Sequence, residues 1–88
     1  MLVDVVHVEA LEPYRIRLRF ADGLVGVVDV ARIVRFEGVF EAIRDPAVFA
    51  AVRADFELGT VVWPNGADLD PVVLRAAIEG PGAAGAAG

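Results

Sequence analysis

Most side chains with chemical potential in this sequence lie in the segment WPNGADLDP, residues 63–71. Asn65, Asp68 and Asp70 offer oxygens there that could bind a divalent cation. A calcium loop needs about six to eight oxygen ligands, including a carboxylate that binds through both of its oxygens. The next glutamate is Glu79, beyond the helix that we expect after Asp70. We therefore predict no metal and no cofactor, with Asn65, Asp68 and Asp70 as the candidate ligands of the alternative.

A structural interpretation explains the same segment without a ligand. Pro71 suits the first position of a helix because it has no N–H to leave unpaired. Asp70 before it can accept hydrogen bonds from the first free amides and complement the helix dipole. Asn65-Gly66 supplies the positive φ of a turn, and Trp63 is expected to be buried beneath that turn. The segment therefore predicts a helix-entry turn.

The composition excludes several classes of catalysis. Cysteine, serine, lysine and glutamine are all absent, which removes thiol and serine nucleophiles, Schiff-base lysines and the P-loop lysine. The single histidine, His7, would need an orienting carboxylate and a nucleophile or water to act as a base. Its position within a valine-rich stretch predicts a partly exposed strand residue instead. The sequence predicts a protein that is not an enzyme.

The elements that position these residues begin with strands. Residues 2–9 are rich in valine and predict the first. Residues 14–20, YRIRLRF, alternate apolar and arginine side chains, which is the pattern of a half-buried strand. Asp22-Gly23 is a strong signal for a two-residue hairpin turn, and residues 24–30 predict the returning strand.

A two-residue turn would fix the register of that hairpin, with Phe20 facing Val25 and Leu18 facing Val27. Leu24, Gly26 and Val28 would then share the face that carries the arginines. Because apolar patches rimmed by charge are typical of protein interfaces, this mixed face is the predicted contact surface. Its candidate residues are Arg15, Arg17, Arg19, Leu24 and Val28. The alternative is a solvated face whose arginines pair with the chain's own carboxylates.

The remaining chain predicts a helix near 38–44, a turn near 46–50, extended chain over 51–63 with a turn at Leu58-Gly59, and a helix from Pro71 closed by Gly80-Pro81. Together these indicate an α+β fold: an antiparallel β-sheet of about five strands, in two hairpins, with two short helices packed on one face. We expect one domain over residues 1–79. The Gly/Ala tail, residues 80–88, has little to bury and is predicted to be disordered.

Charge and hydropathy bear on the partner and the compartment. The net charge is −5, which disfavours direct nucleic-acid binding and favours encounter with a basic protein. The apolar runs are far shorter than the ~20 residues that span a bilayer. The first residues, MLVDVVHVEA, lack a basic leader, so that we expect a cytoplasmic protein.

Several landmarks of this sequence resemble a family of small bacterial proteins, domain of unknown function 2442. They are FADG at 20–23, Asp29 in VVDV, RDP at 44–46 and GTVVWPNGADLDP at 59–71. The resemblance covers roughly residues 2–78. It implies an α+β fold, found in some longer relatives before a helix-turn-helix, and a gene often placed beside that of another small protein, as in toxin–antitoxin pairs. The family has no established catalytic residues.

Three functions follow as hypotheses. We predict a non-enzymatic protein-interaction module, an antitoxin-like partner of a small basic protein or a self-associating domain. The first alternative is a small-ligand or divalent-metal binding domain that uses the 63–71 loop. The second is an accessory domain of a transcriptional regulator that lacks the DNA-binding part.

Overall fold

The computed structural model describes residues 4–78 of the chain. Five short strands, three short α-helices and a 3₁₀ helix follow one another, which confirms the predicted α+β class. In chain order they are β1 (Val5–Leu11), β2 (Arg15–Phe20), β3 (Val25–Asp29), α1 (Val30–Ile33), the 3₁₀ helix (Gly38–Arg44), α2 (Pro46–Ala50), β4 (Arg53–Asp55), β5 (Thr60–Val62) and α3 (Pro71–Ala76).

The strands form two antiparallel sheets instead of the expected single one. β1, β2 and β3 make a three-stranded sheet in that order, and β4 pairs with β5 in a separate ribbon. The ribbon lies against β1, where the Val5 amide donates to the Gly59 carbonyl oxygen at 2.8 Å. β1 is therefore flanked on both sides, whereas no described residue forms a strand beside the outer edge of β3.

The β2–β3 turn corrects the predicted register. Gly23 donates its amide to the Phe20 carbonyl oxygen at 2.9 Å, and Phe20 donates its own amide to Leu24 at 2.8 Å. The loop therefore contains three residues, 21–23, with Gly23 at a φ of 93°. Such loops combine a type I turn with a glycine bulge, and Asp-Gly fits them as well as it fits the two-residue turn.

One extra loop residue moves the whole of β3 by one position. Ile16 faces Val28 and Leu18 faces Gly26, so that Leu24, Gly26 and Val28 share the apolar side of the sheet. The prediction that they lie on the arginine face is wrong, because a slip of one residue exchanges the two faces of a strand.

The core lies between the apolar side of the three-stranded sheet and the helices. Val28 is completely buried there, as are Phe20, Leu74 and Ile43. An aromatic series closes one end, in which the Phe49 ring contacts those of Tyr14 and Trp63 at centroid distances of 5.4 and 5.8 Å.

Elements differ from the sequence pattern near the two ends and at residues 46–50, where a turn was predicted and the helix α2 is found. β1 continues to Leu11, and α3 ends at Ala76, before the Gly80-Pro81 stop that was expected. That stop and the tail at 80–88 lie outside the described residues. Within residues 4–78, no helix is long and apolar enough to cross a membrane.

Candidate functional site: the 63–71 turn and the open sheet face

Within the 63–71 segment, residues 64–66 form a three-residue turn of the same kind as the β2–β3 turn. Gly66 donates its amide to the Trp63 carbonyl oxygen at 2.9 Å, and Trp63 donates its amide to Ala67 at 2.8 Å. Gly66 has a φ of 89°. The indole is 1% exposed, and its N–H donates to the Phe49 carbonyl oxygen at 3.1 Å.

Two of the three candidate metal ligands use their oxygens within the fold. Asn65 accepts from the Ala67 amide at 3.2 Å and donates from Nδ2 to the Val39 carbonyl oxygen at 2.8 Å. Asp70 caps α3 by accepting from the Val72 amide at 2.8 Å, with Pro71 at the first helical position. Asp68 is exposed. Over residues 4–78 no three or more His, Cys, Asp or Glu side chains are grouped as metal ligands would be.

The other candidate region is the solvent-facing side of the three-stranded sheet, here called the open face. Cross-strand pairing places its side chains in three rows, each with one arginine at the centre. The rows are His7–Arg19–Val25, Glu9–Arg17–Val27 and Leu11–Arg15–Asp29.

The three arginines of the open face have different surroundings. Arg15 donates to the Glu12 carbonyl oxygen at 2.7 Å and is held by the β1–β2 turn. Arg17 forms an ion pair with Glu9 at 2.9 Å, as the solvated-face alternative predicts. Arg19 is exposed, and its guanidinium makes no hydrogen bond or ion pair with any residue of the described part. Arg19 is therefore the open-face arginine whose guanidinium has no bonded partner within residues 4–78.

The row that contains Arg19 is the most exposed of the three rows of the open face. His7 lies opposite Arg19 on β1 and is exposed, as predicted for a strand histidine. Val25 lies opposite Arg19 on β3 and is 55% exposed. A cation, an imidazole and an apolar side chain thus adjoin one another, without a carboxylate bonded to the His7 ring within residues 4–78.

The register correction changes the membership of the predicted contact surface. Arg15, Arg17 and Arg19 are on the open face, but Val28 is buried and Leu24 lies on the opposite side. Val25 and Val27 take their places. Sequence reasoning missed them because the Asp22-Gly23 pair fits two turn lengths, and only the longer one puts these valines beside the arginines.

A second exposed apolar feature is the turn between β4 and β5, whose position near Leu58-Gly59 the sequence predicts but whose exposed apolar side chains it did not indicate. Phe56 is 80% exposed at its tip, beside Leu58 at 54%. The Asp55 carboxylate fixes this turn by accepting from the Glu57 and Leu58 amides at 2.9 and 3.0 Å. The Leu58 amide, with that of Glu57 and the Arg53 guanidinium, holds the pKa of Asp55 below its ordinary value.

Comparison with known proteins places this geometry in a family. The model of the family described as "Protein of unknown function (DUF2442)" matches residues 5–80. The chain belongs to this family. Among curated proteins, none matches it.

One solved structure resembles this DUF2442 domain over most of its length. It is that of "Putative DNA Binding Protein NE0471" from Nitrosomonas europaea ATCC 19718, with a TM-score of 0.63 and 31% sequence identity. The match covers 93% of this chain but 51% of that one. The chain therefore spans about half the length of the protein to which it is similar.

Proposed function

We propose that this DUF2442 domain is a non-enzymatic protein-interaction module that contacts its partner through the open face. The observation that carries the proposal is the row His7–Arg19–Val25, where an arginine whose guanidinium has no partner among residues 4–78 lies beside a valine that is 55% exposed. Arginine and apolar groups side by side are characteristic of contact surfaces between proteins.

The row also specifies what a partner offers. A carboxylate would pair with the Arg19 guanidinium, and an apolar side chain would cover Val25. The net charge of −5 steers an oppositely charged protein toward the domain from a distance. A small basic protein with an acidic and apolar contact segment satisfies both requirements, and an antitoxin-like role would be one instance.

The test is capture of partners from the lysate of the host, with tagged wild type compared with the double variant Arg19→Glu/Val25→Glu. We expect a stoichiometric partner that the wild type retains and the double variant loses, because the variant replaces both contacts with repulsive charge. Val39→Glu is the matched control, since Val39 is 52% exposed outside the open face. Equal capture by all three proteins would overturn the proposal.

A second candidate function is that of an accessory domain in a DNA-binding protein. It is favoured by the similarity to about half of NE0471, whose name describes a DNA-binding protein. In that arrangement this half supplies interaction or assembly and the other half supplies DNA contact. A gel-shift titration at physiological salt distinguishes the roles: an accessory domain leaves DNA unshifted, whereas a shift by the domain itself would contradict it.

A further inference from the structure

The two edges of the three-stranded sheet differ in how they are protected. The β1 edge has an irregular register between Val5 and His7 and lies against the β4–β5 ribbon. β3 has a regular register and contains neither proline nor lysine. Bulges, prolines and charged side chains are usual devices that prevent one edge strand from pairing with another, and residues 25–28 have none of them, because the single charge of β3, Asp29, lies at its end.

The hydrogen-bond pattern identifies which backbone groups point outward from β3. Phe20 donates its amide to Leu24, and Val30 donates its amide to Tyr14. Because bonded residues alternate along an antiparallel strand, the even-numbered positions of β3 face β2 and the odd-numbered ones face outward. Val25 and Val27 therefore direct two N–H and two C=O groups away from the sheet. Within residues 4–78 no backbone group pairs with them.

We propose that β3 pairs in antiparallel fashion with β3 of a second copy of this chain, about a twofold axis at Gly26. Val25 then faces the partner's Val27, and Val27 faces the partner's Val25. The two N–H and two C=O groups of each copy are satisfied by those of the other, so that the arrangement is self-complementary. The two sheets become one sheet of six strands.

Both faces of the seam are compatible with this pairing. On the open face the axis collects four valines, two from each copy. On the other face Gly26 lies under Ile78, whose Cγ2 is 2.3 Å from the position of a Cβ added to Gly26. Pairing at Gly26 thus brings the two Ile78 side chains toward each other and extends the apolar layer across the axis.

Charge and area set the expected strength. Residues 24–28 carry no charge, so that the seam itself brings no like charges together although each copy has a net charge of −5. One short strand pairing buries less than the roughly 1,200 Å² of a stable interface, which indicates a weak dimer. Its dissociation constant is expected on the order of 100 μM.

Sedimentation velocity from about 10 μM to 1 mM tests the proposal over that range. We expect the wild type to progress from monomer to dimer. Val25→Lys places a cation on the edge, and Val27→Pro removes an outward N–H while the β2–β3 ladder is kept. Each should raise the dissociation constant at least tenfold. Val39→Lys is the control for added charge, and circular dichroism verifies that every variant folds.

Amide exchange measured by NMR at both ends of the concentration range locates the contact. Slower exchange of the Val25 and Val27 amides at high concentration, with those of Gly26 and Val28 protected throughout, is the expected result. A wild type that remains monomeric at 1 mM, or a dimer unaffected by both variants, would overturn the proposal. The inference deepens the proposed interaction role, yet partner capture and self-association can fail separately because each is measured without the other.

Discussion

Two turns of this domain share one pattern of backbone hydrogen bonds and a similar order of residue types. Phe20-Ala21-Asp22-Gly23 and Trp63-Pro64-Asn65-Gly66 each begin with a buried aromatic residue and end with a glycine at positive φ. In both, the carboxylate or amide oxygen at the third position accepts from the amide two residues later, at 3.2 Å.

The two turns differ in the side-chain contacts that attach them to the rest of the molecule. Asp22 forms an ion pair with Arg75 of α3 at 2.7 Å, and that guanidinium also lies 5.1 Å from the centroid of the Phe20 ring. Asn65 instead donates to the Val39 carbonyl oxygen, and Trp63 donates to Phe49. The β2–β3 turn is thus attached to the rest of the domain by an ion pair, and the 64–66 turn by neutral hydrogen bonds. Their local sequences alone predict no such difference.

Removal of the leading aromatic residue has the largest expected effect. Phe20→Ala and Trp63→Ala should each lower the free energy of unfolding by about 3–5 kcal/mol. Trp63→Ala should lower it by about 1 kcal/mol more, because the Phe49 carbonyl oxygen also loses its donor. Urea titrations followed by far-ultraviolet circular dichroism measure both variants. An equal or smaller loss for Trp63→Ala would show that the indole hydrogen bond does not stabilise the fold.

Substitution of the two glycines tests whether the turns are alike. Gly23 and Gly66 have φ values of 93° and 89°, and a Cβ added to either has nothing within 4 Å. Gly23→Ala and Gly66→Ala should therefore cost the same, about 1–2 kcal/mol, from backbone strain alone. Gly38→Ala is the reference at a φ of 57°, nearer the left-handed minimum, and should cost less. Thermal unfolding of the three variants measures these costs. Unequal costs for Gly23→Ala and Gly66→Ala would contradict the likeness of the two turns.

Substitution of the acceptor residue of each turn distinguishes the contribution of the ion pair from that of the neutral hydrogen bond. Asn65→Asp keeps the acceptor for Ala67 but loses the donor to Val39 and places a charge against that carbonyl, for an expected cost of about 1 kcal/mol. Asp22→Asn keeps the acceptor for Leu24 and loses only an exposed ion pair, so that its cost should be smaller. Urea unfolding midpoints at neutral pH compare the two variants. A larger loss for Asp22→Asn than for Asn65→Asp would mean that the ion pair contributes more than the neutral hydrogen bond.

The smallest effect is a difference in pH dependence. The Arg75 guanidinium, which hydrogen-bonds to Asp22, and the Leu24 amide hold the pKa of that carboxyl below 3.8, its ordinary value. Because the folded-state pKa is depressed, the contribution of Asp22 is complete above the ordinary value and is lost as the pH falls through the folded one. Wild type should therefore lose more stability than Asp22→Asn on acidification. Parallel urea midpoints in both proteins would contradict this.

Local sequence was sufficient for the elements whose signals do not depend on distant residues. The alternation of YRIRLRF, the Asp70-Pro71 helix start and the run of the 3₁₀ helix were all predictable. The register of β3 was not, because the choice between a two-residue and a three-residue loop leaves the same Asp-Gly signature. That choice decided which residues lie beside the arginines, and an early error in turn length therefore became an error in the candidate surface.

The contact of Ile78 with Gly26 has a consequence for any module joined after α3. Ile78, the last described residue, lies over the strand at which two copies would pair, so that modules attached through short linkers would be held near the same twofold axis. Tethering of this kind raises the local concentration of one module around the other to the millimolar range for short linkers. A weak pairing of strands would then be sufficient to present two copies of an attached module together.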